Sequence, residues 1–294
     1  VRGFLRFVTR SRHHAVGVSA LSLLMPPFSF VGGALIGLAT LRYGAVEGGV
    51  VLAGSAAIFA AVMWALAGSI APALVFVVVT GLPVLALSAV LRSTASQGVV
   101  LVAATLATGA AIAMLYLAVP DPAEWWLSVF VGFLAGGTEG VDRQGFEELA
   151  EMLRPVVTGL PIAVMVTAVC TVILARWGHA ALDNPGGFGR EFRDLRVGRR
   201  FAFGAGLVVI LALFLAPQGA GVGHDLLMLV VAACAIQGVA TVHGLVGVRG
   251  GGRGWLIAMY LSLFLVTPAA VFALSVTGLS DAWLDYRSRF GPSQ

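Results

Sequence analysis

Arg176-Trp177-Gly178-His179-Ala180-Ala181-Leu182-Asp183-Asn184-Pro185-Gly186-Gly187-Phe188-Gly189-Arg190-Glu191-Phe192-Arg193-Asp194-Leu195-Arg196 is a dense polar island between two long apolar runs, residues 155–175 and 201–217. Working outward from it, the contrast holds for the whole chain. Hydrophobic residues make up 59% of the 294 positions and charged residues only 11%, with mean hydropathy +0.97. An ordinary globular chain carries roughly a quarter charged residues, so a soluble domain is excluded.

Further apolar runs lie at about residues 47–67, 71–91, 98–119, 225–247 and 255–278. They approach or exceed the ~20 residues that cross a ~30 Å hydrocarbon core as helix. Lipid cannot satisfy backbone amides, and the runs are continuous instead of alternating, which favours helices over a barrel. The expectation is an all-α, polytopic transmembrane helical bundle of about seven to nine spans, forming one integral membrane domain over residues 1–294.

Arg2, Arg6, Arg10, Arg12, His13 and His14 precede apolar residues 15–41, which Pro26-Pro27 interrupt. Consecutive prolines break a helix, so a hairpin of two half-helices is expected there. The stretch runs on past the prolines without the small-residue cleavage site of a signal peptide. The segment from Trp125-Trp126 to Gly137 is apolar but short, and crossing, re-entry and an interfacial position all stay open. In residues 141–153, Phe146, Leu149 and Leu153 recur at helical spacing opposite Asp142, Glu147, Glu148 and Glu151. That pattern predicts an amphipathic interfacial helix.

Orientation follows from arginine counting. The arrangement that retains most arginines on one side makes residues 176–200 a cytoplasmic arginine-rich loop, joined there by the N-terminus, Arg42, Arg92, Arg249 and Arg253, with the C-terminus opposite. All 18 basic residues are Arg, which with the Ala, Gly and Val richness points to a GC-rich bacterial genome. Val1 in place of Met fits an alternative start codon or a trimmed chain. Net charge +4 and a pI of about 9.7 report topology, not a nucleic-acid partner. Membrane lipids are the expected surroundings.

Intramembrane ionisable residues usually mark proton or ion pathways. Away from their first residues the clear spans hold no Asp, Glu, Arg or His except His243, and it points away from the face shared by Gln237 and Thr241, so no relay is assembled. Seven of the fourteen acidic residues fall between 120 and 154, a distribution that reads as a solvated outer face in the absence of a partner set. The histidines lack metal-site spacing. Cys170 and Cys234 read as small buried hydrophobes. The glycine runs around Gly221 and Gly250-Gly251-Gly252 read as tight loops. No nucleophile, base and charge-stabiliser set can be assembled, so neither an enzyme nor a cofactor is expected.

The polar clusters carry what recognition there is. Asn184-Pro185-Gly186-Gly187 is a turn-forming run. A helix resuming after it would place Phe188, Phe192 and Leu195 on one face and Arg190, Arg193, Arg196 and Arg200 on a neighbouring one. Such an arginine edge suits headgroup phosphates, an anionic substrate or an acidic partner. At the other end of the chain, Asp285 and Arg289 stand four apart, the spacing of a helical ion pair, and Trp283 and Tyr286 suit a membrane boundary. Small residues at four-residue spacing, Gly33 and Gly37, Ala56 and Ala60, Ala103 and Ala107, Gly132 and Gly136, predict close helix packing.

Leu174-Ala175-Arg176-Trp177, Asn184-Pro185-Gly186-Gly187-Phe188 and Arg190-Glu191-Phe192 resemble the signature of the YybS-like membrane proteins of bacteria, particularly their proteobacterial branch. Gln237-Gly238, Val242-His243-Gly244-Leu245, Trp255-Leu256, Tyr260 and the stretch from Gly278 through Asp281, Trp283 and Arg287 are similar to that family's C-terminal pattern. The likeness is specific from about residue 170 onward. Gly178, His179 and Asp183 depart from it. The resemblance implies a polytopic inner-membrane protein of a family catalogued as a domain of unknown function. Its fold is likened to the substrate-binding components of energy-coupling-factor transporters, in which small-residue helix faces dock a coupling subunit and an ATPase pair supplies energy. Gly33 and Gly37 would then take the docking part. The candidate ligand or partner contacts are Arg176, Trp177, Asn184, Gly186, Gly187, Phe188, Arg190, Arg193 and Arg196, with His243, Asp281, Trp283 and Arg287 from the C-terminal pattern. The expected function is a small-molecule-binding or transport-associated component, the alternative a scaffold or assembly factor that binds proteins or anionic lipids.

Overall fold

A computed structural model describes residues 1–135, 159–215 and 221–290, together with Glu148 and Met152. All regular structure among these residues is helical. Two compact units emerge, Val1–Ala89 with Ala107–Ala175, and Val90–Leu106 with Arg176–Gln294.

In the first unit, α1 (Arg2–Val8) and α2 (Arg12–Leu23) are followed by a turn at Pro26–Phe28 and by α3 (Ser29–Tyr43). The Ser19 hydroxyl donates to the Gly32 carbonyl at 3.3 Å and the Tyr43 hydroxyl to the Thr9 carbonyl at 3.2 Å. Both pairs are centred near Pro26, the register of an antiparallel hairpin, so the prolines split the segment as their missing N–H groups require. Gly44, at φ 110°, then turns the chain into α4 (Ala45–Ala67), which Gly68 ends in the left-handed region at φ 65°. The fifth helix, α5 (Ala71–Thr94), carries one π turn at Val77–Gly81.

Gly33 and Gly37 pack inside this unit. A Cβ on Gly33 would lie 3.0 Å from Thr80 and 3.1 Å from Thr171; one on Gly37 would lie 2.8 Å from Ala175 and 3.0 Å from Ser88. The stripe therefore brings α3 against α5 and against α8 (Leu160–Asp183). The docking role the resemblance gave Gly33 and Gly37 falls away, because this chain's own helices fill that face.

The remaining helices among the described residues are α6 (Gln97–Ala118), α7 (Pro122–Ala135), α9 (Gly187–Arg193), α10 (Gly198–Leu215), α11 (Val222–Val248), α12 (Gly254–Leu265), α13 (Thr267–Leu284) and α14 (Tyr286–Arg289). Within the second unit, Ala205, Val230 and Cys234 form a core for α10 and α11, with Leu279 of α13 packed on it.

Among the described residues five helices are long and apolar enough to cross a membrane: α4, α5, α6, α8 and α11. A sixth is obtained only if α9 and α10, bent by 48°, count as one. Only 28–44% of their apolar windows is buried within the chain, and Leu66, Leu117 and Phe214 are 78, 89 and 79% exposed. Apolar side chains left bare over most of a helix belong against lipid. The architecture is that of a multi-pass membrane protein.

Among the described residues the larger expected span count is not confirmed. Residues 255–278 do not form one helix: Val266 leaves helical geometry at φ −134°, ψ 50°, and Pro268 starts α13. Its first piece, α12, has 12 residues and would extend about 18 Å, short of the hydrocarbon core. The Trp125 segment forms the 14-residue α7. The expected amphipathic helix at 141–153 lies outside the described residues, apart from Glu148 and Met152.

Candidate functional site

The C-terminal unit is built around a backbone-to-backbone crossing of α11 and α13. A Cβ on Gly238 would overlap the Leu274 carbonyl, and one on Gly278 the Cys234 carbonyl. Only glycine lets two helices approach this closely. Beside the crossing, Gln237 is fully buried and has both ends of its amide in use. Its Nε2 donates to the Gly278 carbonyl at 2.9 Å, and its Oε1 accepts from the Val197 N–H at 2.8 Å. One side chain thus ties α11, α13 and the link between α9 and α10.

That link is held a second time by Arg287, whose side chain is 4% exposed. Its guanidinium donates to Asp281 Oδ2 at 2.6 Å and to the carbonyls of Arg193 and Leu195 at 2.5 and 2.9 Å. Both carbonyls lie at the end of α9, where a helix has no internal donors left and its dipole favours a cation. Asp281 sits in the last turn of α13, where the dipole disfavours an anion. Arg287 offsets this, and the Tyr286 N–H donates to the same carboxylate at 3.1 Å. Room for the arginine stem comes from Gly244, whose Cβ would fall 2.6 Å from Arg287 Cδ. Leu195 is buried beneath this latch at 2% exposure.

Arg196, on the same link, pairs with Asp285 at 2.6 Å. Asp285 adopts φ 45°, in the left-handed region, and caps α14 by accepting from Ser288 N. Burial raises its carboxyl, but the Arg196 guanidinium and the Ser288 donors outweigh that and hold it below the usual aspartate value. The expected Asp285–Arg289 helical pair is therefore not formed. Arg196 takes the Asp285 carboxylate instead.

Helix α8 runs on through Arg176 and Trp177 to Asp183, so the first third of the expected loop is helix. Arg176 makes a two-pronged pair with Glu191, Nε to Oε2 at 2.7 Å and Nη2 to Oε1 at 2.5 Å. Its third nitrogen, Nη1, meets His179 Nδ1 at 2.7 Å, and His179 Nε2 lies 3.2 Å from Asp183. A guanidinium only donates, so His179 Nδ1 is the acceptor and its proton sits on Nε2, facing Asp183. This chain joins the end of α8 to α9.

Asn184 lies over Gly187, which has no space for a Cβ, and Gly186 takes φ 89°. The turn expected at 184–187 is formed. Helix resumes for only seven residues, so Leu195 and Arg196 lie past its end and not on its faces. Phe188 stacks on Phe192 at 5.9 Å, and Phe192 meets the His243 ring edge-on at 5.4 Å. His243 Nδ1 lies 3.0 Å from the Val239 carbonyl and Nε2 lies 3.3 Å from the Tyr260 hydroxyl. A carbonyl can only accept, so Nδ1 carries the proton and His243 acts as a packing and hydrogen-bonding residue. Trp283 packs at 5.9 Å on Phe203, away from the latch.

Of the expected contacts, Arg287, Asp281, Arg193 and Arg196 thus converge on one link, and Arg176, Asn184, Gly186, Gly187 and Phe188 shape the turn before it. Asp281 and Arg287 are spent on each other. Arg190, Arg199 and Arg200 remain exposed, and none has an ion-pair partner among the described residues. Sequence reading gave Gln237, Glu191 and Leu195 no site role; a glutamine inside an apolar span was the available signal, since lipid would not tolerate its amide unpaired. Among the described residues no group of three His, Cys, Asp or Glu side chains is arranged to hold a metal ion.

Fold and site together define a multi-pass helical membrane protein with a buried polar latch in its C-terminal unit. No family model matches the chain, and no curated protein or solved structure matches it.

Proposed function

We propose that this protein is a non-catalytic binding component of a membrane assembly and that it docks an anionic partner on the arginine edge of α9 and the first turn of α10. One observation carries the reading: the Gln237 and Arg287 latch fixes the link between these helices from inside, while Arg190, Arg199 and Arg200 stand exposed and unneutralised at the surface. Arginines held on an ordered backbone give up little freedom on binding, and their planar forks suit carboxylate and phosphate. The proposal includes a bacterial inner-membrane location with this edge and the N-terminus on the cytoplasmic side, as the arginine distribution supports. It also includes membership of the YybS-like family. In a transport-associated component the same edge would receive an acidic surface of a coupling subunit or ATPase; in a scaffold it would take an assembly protein or anionic lipid.

The test is mild-detergent purification from the native membrane, with mass spectrometry of everything retained, on the wild type and on the combined Arg190→Gln, Arg199→Gln and Arg200→Gln variant. These three residues are outside the latch, so insertion and melting should be unchanged while the partner is lost. Equal retention by the two proteins would sink the docking role.

A further inference from the structure

The N-terminal unit contains a cavity of about 480 Å³ where α1 meets α2, beside the end of α3 and the start of α4. This volume is in the ordinary range of small-ligand sites, roughly 300–1,000 Å³. Its floor is apolar, formed by Leu35, Leu38 and Ala39 of α3, Val51 of α4 and Ala15 of α2. Its rim is polar and basic, with Arg10, Arg12, Tyr43 and Glu47.

The rim is built in a particular way. Tyr43 is tied to the Thr9 carbonyl and Ser11 caps α2 by accepting from the His14 N–H, so the backbone bearing Arg10 is held on both sides. Arg12 is paired with Glu47 at 2.5 Å, although its side chain is 65% exposed. Arg10 is exposed and has no ion-pair partner among the described residues. Beside the rim, α1 buries Leu5 and Val8 and exposes Phe4 and Phe7 along with Arg2 and Arg6. Aromatic and basic side chains exposed on one short helix are the pattern of a segment lying at a lipid headgroup layer. The mouth therefore opens at headgroup depth, with its apolar floor below.

We infer that this cavity holds an anionic phospholipid of the surrounding bilayer, its phosphate on Arg10 and part of one acyl chain against Leu35, Leu38 and Ala39. Residues 1–51 carry five arginines against the single carboxylate of Glu47, so an anionic head is selected over a zwitterionic one. Glu47 competes with the phosphate for Arg12 and sets an upper limit on the affinity. The site uses the N-terminal unit alone and goes beyond the docking reading above. It shares no residue with the arginine edge, so either can fail while the other stands.

The experiment is native mass spectrometry of the intact chain with phosphatidylglycerol and phosphatidylcholine in equal amounts, and separately with dodecyl phosphate and with inorganic phosphate. One phosphatidylglycerol should be retained in preference to phosphatidylcholine. Arg10→Gln should lower that preference about fivefold, the effect of one basic charge near an anionic lipid surface. Glu47→Gln should raise it by freeing Arg12. Ala39→Phe should abolish it by filling the floor while every charge is kept. Retention by a folded Ala39→Phe protein equal to wild type would overturn the cavity assignment. Should Ala39→Phe fail to fold, the opposite signs at Arg10 and Glu47 decide, and no change in either overturns the inference. Binding of dodecyl phosphate or inorganic phosphate without phosphatidylglycerol would also overturn it, in favour of a soluble ligand.

Discussion

Removing the Arg287 guanidinium tests the latch most directly. Its side chain and that of Asp281 are 4% and 2% exposed, and it makes three hydrogen bonds, one to a carboxylate and two to carbonyls. Arg287→Met deletes the cation at similar volume and strands a buried carboxylate, which costs about 3–5 kcal/mol. Asp281→Asn strands the cation instead and should fall in the same range. The double variant buries no unpaired charge. What it loses is chiefly the donors to the Arg193 and Leu195 carbonyls, about 1–3 kcal/mol for each group left unsatisfied. The sum of the two single effects should therefore exceed the double effect by roughly 4 kcal/mol. The assay is equilibrium unfolding of the detergent-solubilised protein with a reporter in the C-terminal unit, for the wild type, both singles and the double. Additivity within about 0.5 kcal/mol would mean that the pair is not coupled, and the latch would then have to rest on Gln237 alone.

Three further outcomes follow from the same geometry. Gly278→Ala and Gly238→Ala each place a Cβ on a backbone carbonyl of the facing helix, so either should force α11 and α13 apart; a melting temperature within a degree or two of wild type would contradict the crossing. Gln237→Leu leaves the Val197 N–H and the Gly278 carbonyl without their partner, at about 1–3 kcal/mol per group, and amide exchange at Val197 should quicken while exchange in α4 does not. Asp285 has a folded value below the ordinary one, so its pairing with Arg196 stabilises the protein above about pH 3.9, the unfolded aspartate value, and the contribution is lost as pH falls through the lower folded value. Arg196→Gln should flatten that acid limb, and an acid limb identical to wild type would remove Asp285 from the account.

Much of this was legible residue by residue. The proline pair at 26 and 27 ends α2 and starts a hairpin because neither residue can continue a helix on its own N–H. The Asn184-Pro185-Gly186-Gly187 turn forms where the letters place it, since Gly186 needs a positive φ. Where the reading went astray, the determining contact was remote in sequence. Asp285 and Arg289 satisfy a helical spacing rule, but Arg196, 89 residues away in the chain, takes the Asp285 carboxylate. Gly33 and Gly37 carry the stripe of a docking surface, yet a stripe does not say whose helix fills it. Residues 255–278 carry enough apolar character for one span, but Pro268 and the non-helical Val266 divide them.

The sequence by itself determined the membrane class, the helical architecture and the position of the polar island, because hydropathy, span length and turn chemistry are local properties that lipid and backbone geometry read directly. Only the tertiary structure decided which polar groups are used up and which are left over. Arg287 lies 94 residues from Arg193 and Gln237 lies 40 from Val197, separations at which no periodicity survives. Burial in a medium that offers no water makes an unpaired polar group costly, and the fold alone brings these partners together.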